Sequence, residues 1–146
     1  MFSKTCEYSI RALIFVAMQS GFHKRVSLND IAQEINSPVP FTAKILQKLV
    51  KSGLLSSLKG PTGGFVIDEV RAGEITLSQI VSAIDGDAIY KGCGLGLEEC
   101  DELRPCPVHY KFKVIREELK VMLEQTSLKE LASGIPDGLT FLKRAE

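Results

Sequence analysis

Apolar positions along this chain recur first with a helical period, then with a strand period, then helically again. Between residues 5 and 20, Tyr8, Leu13, Phe15 and Val16 join the small Ala12 and Ala17 on a helical pattern that Gly21 stops. Ser27-Leu-Asn-Asp30 has the form of a capping box, and Leu28, Ile31, Ala32 and Ile35 mark the inner face of a short helix ending near Asn36. Ser37 as cap and Pro38 at the first helical position predict a second helix over 38–52, stopped by Gly53. Its Phe41, Ile45, Leu46 and Leu49 line one side, and Lys44, Gln47, Lys48 and Lys51 the other. The period then shortens. Leu54–Leu58 and Phe65–Ile67 read as strands joined by Lys59-Gly-Pro-Thr-Gly-Gly64, a hairpin directly after the second helix.

Helical spacing returns with Leu77, Ile80, Val81 and Ile84, capped by Thr76 and ended at Asp85. The longest amphipathic run covers 110–125, where Tyr110, Val114, Ile115, Leu119, Met122 and Leu123 recur at three- and four-residue steps. Ser127–Ser133 predicts a last helical turn, and Gly134–Gly138 opens a loose tail. Between these helices, residues 92–109 have neither period. The expected fold is mainly α with a small β-hairpin wing: a winged helix-turn-helix over 1–90, a cysteine-rich loop over 91–109, and a dimerisation helix with its tail over 110–146.

A chain of 146 residues with 45% hydrophobic positions can build the core of one domain. Its net charge of zero argues by itself against a nucleic-acid partner. The distribution reverses that argument. Residues 1–70 carry eight Lys/Arg against five Asp/Glu, whereas 71–110 carry three against seven. A local basic face matters more for phosphate than the total does. Ser37, Pro40, Thr42, Lys44, Gln47, Lys48 and Lys51 on the second helix, with Lys59, Thr62 and Gly63 on the wing, are therefore the candidate contacts to double-stranded DNA. Ala12–Met18 is too short an apolar stretch to span a bilayer, and the start of the chain lacks the basic–apolar–small order of a signal peptide. The expected setting is the cytoplasm, with no membrane and no small-molecule substrate.

Candidate chemistry concentrates in the aperiodic segment. Cys93, Cys100 and Cys106 are three of the four cysteines, and His109, one of two histidines, closes the window. Six residues separate the first pair, five the second, and two lie between Cys106 and His109. Glycines and prolines let the backbone fold back, so that several side chains can converge. Thiolate and imidazole suit an iron–sulfur cluster, zinc or copper(I). Zinc fingers usually bring their ligands in tight Cys-x2–4-Cys pairs, so these wider gaps favour a cluster, with a structural zinc site as the alternative. Disulfides are disfavoured where cytosolic thiols stay reduced. A thiol redox enzyme is disfavoured because no Cys-x-x-Cys pair is present. Cys6, at the start of the first helix, reads as packing. Asp85-Gly-Asp87 lacks the alternating acids of a calcium loop.

Lys44-Ile-Leu-Gln-Lys-Leu-Val-Lys-Ser-Gly-Leu-Leu55, the wing Lys59–Phe65 and the three-cysteine loop before a long helix together resemble one bacterial family. It is the family of winged-helix regulators that contains the iron–sulfur sensor IscR and the nitric-oxide sensor NsrR, and the likeness runs from about Thr5 to about Glu124. The resemblance implies a homodimer that reads a palindromic operator with the helix at 38–52 and the wing, and no enzymatic activity. It also implies an iron–sulfur cluster on Cys93, Cys100 and Cys106. The fourth ligand is either His109, as in IscR-like members, or a carboxylate near the start of the first helix donated by the second subunit, where Glu7 stands. His109 with a [2Fe–2S] cluster is the favoured expectation; a Glu7-ligated or [4Fe–4S] form is the alternative. The chain departs from the IscR pattern twice, with six residues rather than five in the first cysteine gap and with Lys59 where arginine is common. Lysine reaches phosphate but lacks the planar fork of arginine.

Overall fold

The computed structural model describes residues 1–143. Helix α1 (Lys4–Gly21) begins where Ser3 Oγ accepts the N–H of Cys6 at 3.0 Å, and it buries Cys6, Ala12, Leu13, Ile14, Phe15 and Val16. Helix α2 (Leu28–Ile35) starts with the expected capping box, in which Ser27 and Asp30 satisfy each other's backbone N–H groups. It ends at Asn36, whose φ of 53° puts the chain in the left-handed region that asparagine tolerates.

Helix α3 (Val39–Lys51) buries Thr42, Ile45, Leu46 and Leu49. Its start corrects the sequence expectation. The flanking position is Pro38, with extended ψ of 139°, and Pro40 rather than Pro38 lies in the first turn. Because Pro38 is itself extended, the helix begins at Val39 and Ser37 falls one residue outside the capping place. The Ser37 hydroxyl is buried without a partner instead.

The wing pairs β1 (Ser56–Leu58) with β2 (Gly64–Val66) in antiparallel register, Ser57 opposite Phe65. Strand β1 is shorter than its apolar run suggested, and β2 is shifted one residue earlier at the same length. Leu54 and Leu55 leave the hairpin for the core, and the N–H of Ile67 turns to Ser20 Oγ at 3.0 Å. The other edge of β2 is closed by Val26, which exchanges backbone hydrogen bonds with Phe65 at 2.8 and 3.3 Å. That pairing ties the wing to the start of α2.

Helix α4 (Glu69–Glu74) was not expected; it is a six-residue turn that buries Ala72 alone, too short to carry a period. Helix α5 (Leu77–Asp85) has its Thr76 cap as predicted, completed by Gln79. A short α6 (Ala88–Lys91) leads into the cysteine loop, and α7 (His109–Gln125) leaves it. Helix α8 (Leu128–Ser133) is capped by Ser127. It packs on α1 and α4, and Leu77 and Leu128 trade backbone bonds with Thr126 and Ile75 at 3.0 and 2.8 Å. Leu123, Leu128 and Ala132 are consequently part of the same core as α1, rather than of a separate C-terminal unit. Along α7, by contrast, only His109 and Leu123 are buried. No helix among the described residues is long and apolar enough to cross a membrane.

Candidate functional site

The first candidate surface is the outer side of α3 with the wing. Lys44, Gln47, Lys48 and Lys51 are exposed together, and Pro40 stands exposed at the helix start. Thr42 does not join them. It is fully buried and donates its hydroxyl to Pro38 O at 2.9 Å, so its place is structural rather than outward. The three-residue step from Thr42 to Ile45 and the seven-residue step to Leu49 put it on the core side, a position legible from the sequence. Ser37 likewise faces inward.

Lys59 and Thr62 are exposed at the wing tip. Gly63 is there by necessity, since a Cβ would fall 2.1 Å from Leu58 O. Gly64, at φ 137°, takes a backbone conformation closed to other residues, beside Val26 O. The wing is braced by a residue the sequence did not single out: Arg25 donates Nη1 to Thr62 O at 2.7 Å. Nothing in local spacing signals that bond, which joins positions 37 apart. The result is a cationic helix beside a stiffened, glycine-tipped hairpin, a geometry that presents N–H groups and ammonium groups to phosphates.

The second surface is the cysteine loop on α7. The ring of His109 is buried at 3% exposure at the first position of α7, with Nδ1 3.3 Å from Cys100 Sγ and Nε2 buried without a partner. The backbone N–H of Leu95, 3.4 Å from Cys93 Sγ, leads the interactions that hold the Cys93 thiol below its usual value, followed by that of Leu97, with the Cys106 thiol also contributing. All four cysteines are free thiols. Cys6 is different in kind: burial, then the negative charge of Asp85, push its thiol up to about 12, which leaves it an inert packing group.

The loop is fastened to α7 by polar contacts. Glu102 pairs with Lys113, and this pairing lowers the carboxyl pKa and raises the ammonium pKa. Arg116 donates to Gly92 O at 2.6 Å and to Cys100 Sγ at 3.2 Å. Arg116 was missed from the sequence, although its place seven residues after His109 puts it on the same helical face. Glu7 is exposed in the first turn of α1, and no hydrogen bond or ion pair among the described residues joins it to the loop.

These donors suit a thiophilic group in chemistry, with three thiols, one imidazole and an unpartnered buried ring nitrogen. Of these, Cys100 and His109 stand in direct contact. No three metal-binding side chains among the described residues are gathered as around a single ion. The set fits a group that spans several ångströms, or one that draws the donors together on binding.

A winged helix-turn-helix with a cationic reading helix is the architecture of a transcriptional regulator. Residues 2–134 match the family model described as Rrf2, iron-dependent transcriptional regulator, and the chain belongs to that family. An Aquifex aeolicus protein described as an HTH-type transcriptional regulator is 33% identical over 134 residues, 90% of each chain. The HTH-type transcriptional regulator IscR of Xenorhabdus nematophila is 30% identical over 127 residues, 87% of this chain and 76% of that one. Among solved structures, CymR of B. subtilis, titled the global cysteine regulator, superposes with a TM-score of 0.75 at 26% identity, covering 92% of this chain and 97% of that one. The T. potens IscR structure has the same fold, with a TM-score of 0.73 at 17% identity over 98% of this chain and 93% of that one. The chain is thus a regulator and not an enzyme.

Proposed function

We propose that this chain is a cytoplasmic, homodimeric regulator whose grip on a palindromic operator in double-stranded DNA is tuned by an iron–sulfur cluster held on the loop. Cys93, Cys100 and Cys106 supply three ligands and His109 the fourth, with [2Fe–2S] favoured over [4Fe–4S]. The observation that carries this reading is the pairing of Cys100 with His109, 3.3 Å apart, on a loop docked against α7, in a chain of the iron-dependent family. The place of His109 beside Cys100 within one chain supports it as the fourth ligand, with Glu7 of a second subunit as the alternative. When bound, such a group supplies sensitivity to oxidants, nitric oxide or iron–sulfur supply.

The protein's part is to convert loop order into reading-head position. Lys44, Gln47, Lys48 and Lys51 face the DNA from α3, and Lys59 and Thr62 reach it from the wing. Two copies join through α7, where Val114, Ile115, Val121 and Met122 are 57%, 59%, 49% and 45% exposed and repeat at seven-residue steps. An ordered loop fixes α7 relative to the rest of each copy and so biases the spacing of the two α3 helices. A change in operator affinity of ~10–100-fold needs a coupling of only about 1.4–3 kcal/mol.

The test is anaerobic purification followed by iron, sulfide and zinc analysis, visible absorption, and operator binding of wild type against Cys100→Ala. The reading expects a coloured, iron-containing protein whose operator affinity differs from that of the variant. Colourless protein carrying zinc makes the loop a structural site, and equal affinities end the sensing role. Ile115→Glu should yield a monomer by sedimentation; an unchanged dimer would place the interface elsewhere.

A further inference from the structure

We infer that Arg116 is the positioning residue that pins the cysteine loop to α7 and holds the Cys100 sulfur in place. The second half of this inference rests on the cluster-holding reading above. The guanidinium makes two contacts that no other residue of α7 combines. Nη1 donates to Gly92 O at 2.6 Å, at the loop's first residue, and Nη2 donates to Cys100 Sγ at 3.2 Å, at its middle. One rigid planar group therefore fixes two points of the loop against each other as well as against the helix.

The neighbours on α7 explain why this point matters. His109, Phe112, Lys113 and Arg116 share one helical face, and each meets the loop. Gly94 lies so close to the Phe112 ring that a Cβ would fall 2.5 Å from it, so the backbone crosses the ring directly. That contact sets distance but not direction. The Lys113–Glu102 pair is exposed, at 38% and 63%, and water screens it. His109 touches Cys100 but not the loop's start. Arg116 is half-buried, its Nε has no partner, and its anchoring depends on the two terminal nitrogens alone.

Two consequences follow from elementary chemistry. Without the guanidinium, the stretch between Gly92 and Cys100 keeps no contact that fixes both its ends. A donor aimed at a ligand sulfur also withdraws electron density from it, and hydrogen bonds to sulfur help set the potential of an iron–sulfur group. Arg116 should thus make the bound group easier to reduce.

The experiment compares wild type, Arg116→Ala, Arg116→Lys and Lys113→Ala in two arms. In metal-free protein, amide hydrogen exchange over residues 92–103 should quicken about tenfold in Arg116→Ala, the scale of one lost hydrogen bond, and less in the other two. In anaerobically reconstituted protein, the midpoint potential should move negative in Arg116→Ala and be partly restored by lysine, with cluster loss to a chelator about tenfold faster. Unchanged exchange in Arg116→Ala overturns the pinning. Faster exchange with an unchanged potential overturns the sulfur contact as a functional one. A wild type that takes up no iron defeats the cluster-holding reading, and with it the sulfur role; the exchange arm still decides the pinning.

Discussion

Leu46 and Leu49 of the reading helix are 1% and 0% exposed, whereas no residue from Gly92 to Val108 is buried and Leu95, Leu97 and Leu103 stand 54%, 57% and 92% exposed. One region is held by removing apolar surface from water, which is non-directional and involves many side chains at once. The other is held by a few directional contacts from α7. Burial makes the winged unit insensitive to any single polar change. The loop, lacking burial, depends on each of its contacts and on whatever its thiols bind. The proposed sensing role would suit this division, because the part that changes would not be the part that keeps the fold.

The sharpest way to break the comparison is to attack the core. Leu49→Ala should cost about 2–5 kcal/mol in urea or thermal unfolding and abolish DNA binding through loss of the fold. A cost below about 1 kcal/mol would mean that α3 is not seated as described. Next in size is the wing. Gly63→Val must push the chain away from Leu58 O, and operator affinity should fall by roughly tenfold, about 1.4 kcal/mol, with little change in melting temperature. Equal losses of stability and affinity would show that the wing belongs to the core energetically.

Alkaline stability offers a third probe, of the one buried thiol among the described residues. Cys6 keeps its proton in the folded state up to about pH 12, against about 9 for a free thiol. The folded chain therefore binds more protons than the unfolded chain across that window. Stability from this group is complete below pH 9 and declines as pH rises toward 12, by up to about 1.4 kcal/mol per pH unit. Replacing Cys6 with alanine should remove that slope, measured as the wild-type-minus-variant difference in unfolding free energy. Parallel pH profiles would contradict it. The smallest expected effect falls on the loop: Cys100→Ala should leave the unfolding free energy of metal-free protein within about 0.5 kcal/mol of wild type. A larger loss would make the loop a structural element after all.

Much of the winged unit was legible because its signals are local. The Ser27–Asp30 capping box, the Thr76 cap, the Gly53 stop and the glycine-tipped hairpin each depend on residues within a few positions of one another. The errors were also local, and instructive. Ser37 fails as a cap because Pro38 stays extended and the helix starts one residue later, and Thr42 looked available until its place on the Ile45–Leu49 side is counted. Helix α4 escaped because six residues with one buried side chain carry no period.

What the sequence alone determined is therefore the order of elements apart from the short α4 and α6, the lysine-bearing outer face of α3, and the presence of three thiols and an imidazole in one aperiodic stretch. Those follow from periodicity, capping and composition, which are properties of neighbours along the chain. Tertiary structure alone decided that α8 returns to the α1 core, that Arg25 braces Thr62, and that His109 and Arg116 both meet Cys100. Each of these joins residues whose separation is set by how helices pack. Packing energy is summed over surfaces that no single stretch of sequence contains.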